Sequence, residues 1–143
     1  VRCAGHLGWA FPAALGAQRG VPDRPVVCFT GDGGFLYHVA EIETAVRWNI
    51  PAVIVVNNNH SGNQSKAGYD AVYGGTQTER AKELWGWTAV KISKVAGAFG
   101  GQGRRVEKPA EFAPALEKAI ASKRPTIIDV VTDLDAQAPF AVS

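Results

Sequence analysis

The sequence predicts an α/β fold: a doubly wound, mostly parallel sheet flanked by helices. Two observations carry that expectation. Three short runs are β-branched and apolar at nearly every position, as in strands buried on both faces. Helical periodicities lie between them, and strands spaced by helices imply right-handed crossovers into an open parallel sheet.

Taken in order, Leu7 to Gln18 is small-residue rich and reads as a helix, with Pro12 tolerable only near its first turn. Pro25 to Thr30 (Pro-Val-Val-Cys-Phe-Thr) is the first strand. In the next helix Phe35, Val39, Ile42 and Val46 recur every three or four residues, with Glu43 and Arg47 forming an i,i+4 pair; Asn49 and Pro51 stop it. Ala52 to Asn57 (Ala-Val-Ile-Val-Val-Asn) is the second strand. His60 to Glu83 is polar, glycine-bearing and without clear periodicity, so it reads as a long loop, and loops of that length are uncommon unless functional or disordered. Because this one follows the strand that bears the chemistry, a functional role is expected. Val90 to Phe99 is a helix with Gly100 at its C-cap. Glu111 to Ser122 is the last helix, begun by Pro109 and kinked or delayed by Pro114. Pro125 to Thr132 (Pro-Thr-Ile-Ile-Asp-Val-Val-Thr) closes the sheet.

At 143 residues the chain is one domain or a piece of a larger protein. With 46% hydrophobic and 20% charged residues it can build a core, which argues against disorder. Fifteen Lys and Arg against thirteen Asp and Glu leave +2, too balanced for an electrostatic nucleic-acid binder. No apolar run approaches the ~20 residues of a membrane-spanning helix, so neither nucleic acid nor membrane is an expected partner. Two cysteines, Cys3 and Cys28, form neither a disulfide framework nor a zinc site, which suits a reducing, cytoplasmic compartment. There is no methionine, and Val-Arg-Cys-Ala-Gly reads as mid-protein sequence; the expectation is the C-terminal part of something longer.

The first strand runs into Gly31-Asp32-Gly33-Gly34, and a helix is expected straight after. Glycines let backbone N–H groups approach a ligand without a Cβ in the way, and a helix start favours phosphate. An aspartate beside phosphate would repel it unless a divalent cation bridges the two, as Mg²⁺ commonly does. A plain tight turn capped by Asp32 is the alternative. Neither a P-loop nor a complete dinucleotide fingerprint is present. Asn57-Asn58-Asn59-His60-Ser61-Gly62 ends the next strand. Consecutive parallel strands direct their C-terminal ends to one edge, where ligands of open α/β sheets bind. An asparagine there adds a neutral oxygen ligand, although by itself an Asn cluster is usually a turn.

In these motifs the chain resembles the C-terminal, diphosphate-binding domain of thiamine diphosphate enzymes of the acetolactate synthase type, whose signature is Gly-Asp-Gly followed after a helix and strand by Asn-Asn. The likeness covers nearly all of the chain. Upstream, Gly5-His6-Leu7-Gly8-Trp9-Ala10-Phe11-Pro12-Ala13-Ala14 is similar to the family's segment ending Leu-Pro-Ala-Ala. Downstream, Lys94 to Gly100, Arg105-Val106-Glu107 and Pro125 to Val130 look like its closing helix and strands.

The resemblance implies thiamine diphosphate and Mg²⁺ as cofactors. It implies Asp32 as a metal ligand, and Gly31, Gly33 and Gly34 as the diphosphate turn. One asparagine of the triplet would be the second metal ligand, and a backbone carbonyl two residues on a third. The family's usual spacing from the aspartate selects Asn59, whereas counting back from Gly62 selects Asn58 with the His60 carbonyl; both remain open, and Ser61 and Gly62 adjoin the diphosphate either way. Leu7 matches the bulky residue that props the cofactor's bent shape, with Gly5 facing its aminopyrimidine; on composition alone Leu7 is a core leucine. His6 and His60 are candidates for proton transfer, while His38 reads as surface or packing. Trp85 and Trp87 either line a substrate pocket or pack beneath the long loop. Glu41 and Glu43 read as surface or inter-subunit contacts.

The implied activity is decarboxylation of a 2-oxo acid such as pyruvate, with carboligation to a second carbonyl. The glutamate that activates the cofactor lies, in the family, in an N-terminal pyrimidine-binding domain of a neighbouring subunit. The full protein is then expected to be a homodimer or homotetramer, with N-terminal and middle domains outside this chain, and the chain alone is not competent. The alternatives are another decarboxylase or lyase of the same cofactor, of oxalyl-CoA or benzoylformate type, or a non-catalytic nucleotide-binding module.

Overall fold

A computed structural model describes residues 6–136. Four strands, β1 (Val27–Gly31), β2 (Val53–Asn58), β3 (Gln102–Val106) and β4 (Thr126–Val131), form one sheet in the order β1-β2-β4-β3. Every pairing is parallel. Helices α1 (Ala10–Gly20), α2 (Asp32–Leu36), α3 (Glu41–Arg47), α4 (Asn63–Tyr73), α5 (Lys82–Trp85), α6 (Ile92–Ala98) and α7 (Pro109–Ser122) complete the described residues.

The alternation of β2 divides the core. Ile54 and Val56, with Cys28 and Ile127, meet Phe11 and Leu15 of α1, Phe35 of α2, Ile42 of α3 and Ile92 and Ala96 of α6. Phe11 and Phe35 stack with centroids 5.3 Å apart. Val53 and Val55 face the opposite way, with Val106, Ile128 and Ala119 of α7. Helices on both faces explain why these strands read as unbroken apolar runs. The expected doubly wound class is thus found. Cys28 is buried, and burial raises its thiol pKa, so it is an inert core residue. Among the described residues no helix is long and apolar enough to cross a membrane.

Two elements differ from expectation, and a third was expected only through the resemblance. The helix expected through Phe35 and Val46 is two helices, because tightened turns intervene: His38 N–H donates to the Phe35 carbonyl (3.1 Å) and Glu41 N–H to that of His38 (2.9 Å). The apolar period survives the break, and Phe35 and Ile42 are both buried. The segment read as a long loop holds α4 and α5. No residue of α4 is buried, so it carries no apolar stripe to read. It is held by the Lys66–Asp70 pair (2.9 Å) and the Tyr69–Tyr73 ring contact. Strand β3, Gln-Gly-Arg-Arg-Val, was expected only through the resemblance; it is an edge strand bearing two arginines, a charge pattern typical of edges. Pro114 does not delay α7, which runs from Pro109 through it.

Candidate functional site

Gly31 pairs with Asn57 across β1 and β2, so the residues that follow, Asp32 at the start of α2 and Asn58 at the end of β2, stand at the same C-terminal edge. Both are buried, at 3% and 1% exposure. Buried polar groups need partners, and these have them. Asp32 Oδ1 accepts the Gly33 N–H (2.9 Å), and Oδ2 accepts the Trp87 indole N–H (3.2 Å). The Asn58 NH₂ donates to Asp129 Oδ1 (2.7 Å) and the Val90 carbonyl (3.4 Å). Among the described residues Asn58 Oδ1 accepts only the His60 N–H, at 3.3 Å.

Asn59 is used differently. Its Oδ1 accepts both the Ser61 N–H (3.2 Å) and the Ser61 hydroxyl (3.4 Å), closing an Asx turn. His60 within that turn has φ +57°, a left-handed conformation uncommon for a residue with a side chain. Its carbonyl accepts the Trp87 backbone N–H (3.4 Å), and the Gly62 N–H donates to the Trp85 carbonyl (2.7 Å). Ser61 is buried and bridges to Gly86 in antiparallel fashion. Asn57 is on the other face, accepting a hydrogen bond from Thr132.

The Trp87 ring defines how close the two turns come. A Cβ on Gly33 would lie 3.0 Å from its Cη2, and one on Gly62 3.2 Å from its Cζ3. One indole therefore spans the gap, and only glycines let it sit there. Beside it is a cavity of about 590 Å³ lined by Leu7, Gly33, Leu36, Tyr37, Gly62, Ser65 and Trp87. Leu7 is 57% exposed, so it is no core leucine; it stands at this cavity with Cδ1 against Gly34. Gly34 is buried beneath Thr30, and Gly31 is open. His6 is exposed, His38 packs its ring against Gly8, and Gly5 and Cys3 lie outside the described residues. Glu43 pairs with Arg47 on the surface (3.0 Å). Trp85 is buried, donating to Gln77 (3.3 Å) under the Lys66 ammonium, and so packs as expected. Trp87 lines the cavity, one of the two readings the sequence allowed, and adds a hydrogen bond to Asp32 that the sequence did not single out.

The donor set decides what fits. Among the described residues no Lys or Arg lines the cavity, so an anion seated there would need a cation of its own for neutralisation. Among the described residues no three His, Cys, Asp or Glu side chains cluster to hold a metal alone. One carboxylate, one amide oxygen and a carbonyl fit Mg²⁺, which binds through one or two carboxylates and completes its shell with phosphate oxygens and water. Asp129, fully buried behind Asn58, was also missed. Its only sequence signal is a lone acid inside the apolar run Thr126-Ile127-Ile128-Asp129-Val130-Val131.

Comparison with known proteins bears on the same residues. The chain is 35% identical over 129 residues to a probable acetolactate synthase large subunit of Methanococcus aeolicus, covering 90% of this chain and 21% of the relative. It is 33% identical over 130 residues to a 2-hydroxyacyl-CoA lyase of Oryza sativa subsp. japonica, covering 90% and 22%. A solved thiamine diphosphate-dependent 4-hydroxybenzoylformate decarboxylase of Rhodococcus jostii RHA1 superposes with a TM-score of 0.79 at 30% identity, covering 92% of this chain and 24% of that one. The chain thus spans between a fifth and a quarter of the length of these relatives. A family model described as "Thiamine pyrophosphate enzyme, C-terminal TPP binding domain" matches residues 2–130. The chain belongs to that family of thiamine diphosphate (thiamine pyrophosphate)-binding C-terminal domains.

Proposed function

We propose that this domain binds Mg²⁺ and thiamine diphosphate as the cofactor-holding part of an acetolactate synthase-like enzyme. Asp32, Asn58 Oδ1 and the His60 carbonyl are the metal's protein ligands in this reading. The diphosphate would take the cavity beside Trp87, edged by Gly33 of the first turn and Gly62 of the second. The observation that carries the reading is the pairing of Gly31 with Asn57, which brings the buried Asp32 and Asn58 to one edge of the sheet. Asn58 is preferred to Asn59 because the Asn59 oxygen is already the acceptor of two Ser61 donors, whereas the Asn58 oxygen has one long bond.

When bound, thiamine diphosphate supplies the carbon nucleophile and electron sink, and the protein supplies position and electrostatics. Leu7 holds an apolar wall against the cofactor, and the buried Asp32 supplies the charge that keeps the cation in place. Among the described residues no carboxylate, histidine, lysine or arginine lines the cavity. In this reading the proton at the cofactor would be taken, as the resemblance implies, by a glutamate of a pyrimidine-binding domain contributed by a neighbouring subunit of a homo-oligomer. The substrate in this reading is a 2-oxo acid, decarboxylated and joined to a second carbonyl. A second reading, a decarboxylase or lyase of the same cofactor, is favoured by the likeness to the Rhodococcus and Oryza enzymes.

Calorimetry tests the binding claim. Thiamine diphosphate should bind with Mg²⁺ present, fail to bind in chelator, and fail to bind Asp32→Ala under either condition. Metal-independent binding of a nucleotide would instead support a nucleotide-binding module. Decarboxylation of pyruvate by the 143-residue chain alone would contradict the assignment of the proton acceptor to another domain.

A further inference from the structure

We propose that Asp129 is a positioning residue that fixes the Asn58 side-chain amide so that its oxygen, and not its NH₂, is presented beside Asp32. The inference rests on the function proposed above and deepens it. An asparagine amide is nearly symmetric in shape, so its orientation is decided by its hydrogen-bond partners. A metal ligand cannot tolerate the reversed orientation, because the NH₂ has no lone pair to offer a cation.

Asp129 decides the matter because an ionised carboxylate only accepts. It is 0% exposed and lies 2.7 Å from the Asn58 nitrogen, the shortest contact Asn58 makes. Reversing the amide would set two acceptor oxygens against each other at that distance, and the Val90 carbonyl would add a third. Asp129 is itself held from behind. Its Oδ2 accepts the Ser93 N–H and Arg105 Nη1–H, both at 3.2 Å, which leaves Oδ1 for Asn58. Arg105 is steadied in turn by Glu107, whose carboxylate accepts its Nε–H at 2.7 Å. The relay Glu107–Arg105–Asp129–Asn58 thus crosses β3, β4 and β2 to reach the proposed metal ligand.

The test uses Asp129→Asn and Arg105→Gln, each in the full chain. The readout is the Mg²⁺ concentration needed for half-maximal thiamine diphosphate binding, with the urea midpoint measured beside it. Residue 129 as asparagine can donate as well as accept, so the orientation is no longer imposed. The Mg²⁺ requirement should rise by about 10–100-fold, the usual effect of removing a metal's outer partner. Arg105→Gln removes the cation that holds Asp129 Oδ2, from a side chain that is 30% exposed, and should raise the requirement in the same direction. A packing role alone would lower the urea midpoint and leave the Mg²⁺ requirement unchanged. Asp129→Asn with a wild-type Mg²⁺ requirement overturns the proposal. Should Asp129→Asn not fold, Arg105→Gln decides: a raised requirement supports the relay, and a wild-type requirement overturns it. These failures leave the proposed function standing as long as the wild-type chain binds the cofactor with Mg²⁺; a wild-type chain that does not removes both.

Discussion

Gly103 touches no cofactor, yet replacing it tests how the buried relay is built. A Cβ placed there would lie 1.8 Å from the Ser93 carbonyl oxygen, 2.6 Å from its carbon and 2.9 Å from its Cα. All three are backbone atoms at the start of α6, so no side chain can swing aside. Carbon and oxygen in contact need roughly 3.0–3.5 Å, so Gly103→Ala must push α6 off β3 by more than an ångström. That displacement breaks the 3.2 Å bond from Ser93 N–H to Asp129. A buried carboxylate that loses a donor costs about 1–3 kcal/mol. Lifting Ile92 and Ala96, which are 1% and 0% exposed, adds the ~1–3 kcal/mol typical of an overpacked core. The sum, about 2–6 kcal/mol, is a large part of a typical domain's stability. Urea unfolding of Gly103→Ala should show this loss. Gly97→Ala is the control, because that position within α6 has nothing within 4 Å of its added Cβ and should gain about 0.5–1 kcal/mol. A Gly103→Ala midpoint indistinguishable from wild type would refute the contact and the close seating of α6 on β3.

Asn58→Ala should abolish Mg²⁺-dependent cofactor binding and also lower stability by about 1–3 kcal/mol, since it strands an Asp129 oxygen; Asn59→Ala should cost about 1 kcal/mol through its turn and leave the Mg²⁺ requirement unchanged, both read by titration and urea melts. Trp87 touches both glycine turns, so cofactor addition should alter tryptophan emission in wild type and in Trp48→Phe, but not in Trp87→Phe; an unchanged signal in Trp87→Phe would count against this geometry. Glu111 accepts the backbone N–H groups of Glu107 and Lys108, which hold its carboxyl below the usual range. Its contribution is therefore present above the unfolded-state pKa of about 4.3 and fades as pH falls through the folded value. Wild type should lose its stability advantage over Glu111→Gln in that acid window, as followed by thermal melts across pH.

What the sequence carried was set by burial. Runs such as Ala52-Val53-Ile54-Val55-Val56 are covered on both faces, so their composition alone announced a parallel sheet. The meeting of Asp32 with the Asn57–Asn59 triplet at one sheet edge was legible because consecutive parallel strands end on the same side. The register that separates Asn58 from Asn59 was not, since a local Asx turn rather than spacing commits Asn59 to Ser61. Helix α4 escaped notice because its stability comes from surface pairs such as Lys66–Asp70 and not from an apolar face. Strand β3 lies at an edge and carries charge where a central strand would carry valine. Asp129 and the contact of Trp87 with Asp32 were invisible for a further reason: each acts across 55 to 71 residues of chain, which no local pattern records.

The most direct measurement is a crystal of the chain grown with Mn²⁺ in place of Mg²⁺ and with thiamine diphosphate, phased for the anomalous signal of the metal. The account predicts one peak bonded to an Asp32 oxygen, Asn58 Oδ1, the His60 carbonyl and the diphosphate, with Asn59 still turned toward Ser61. A peak away from Asp32, or one ligated by Asn59 with Asn58 held only by Asp129, would contradict it.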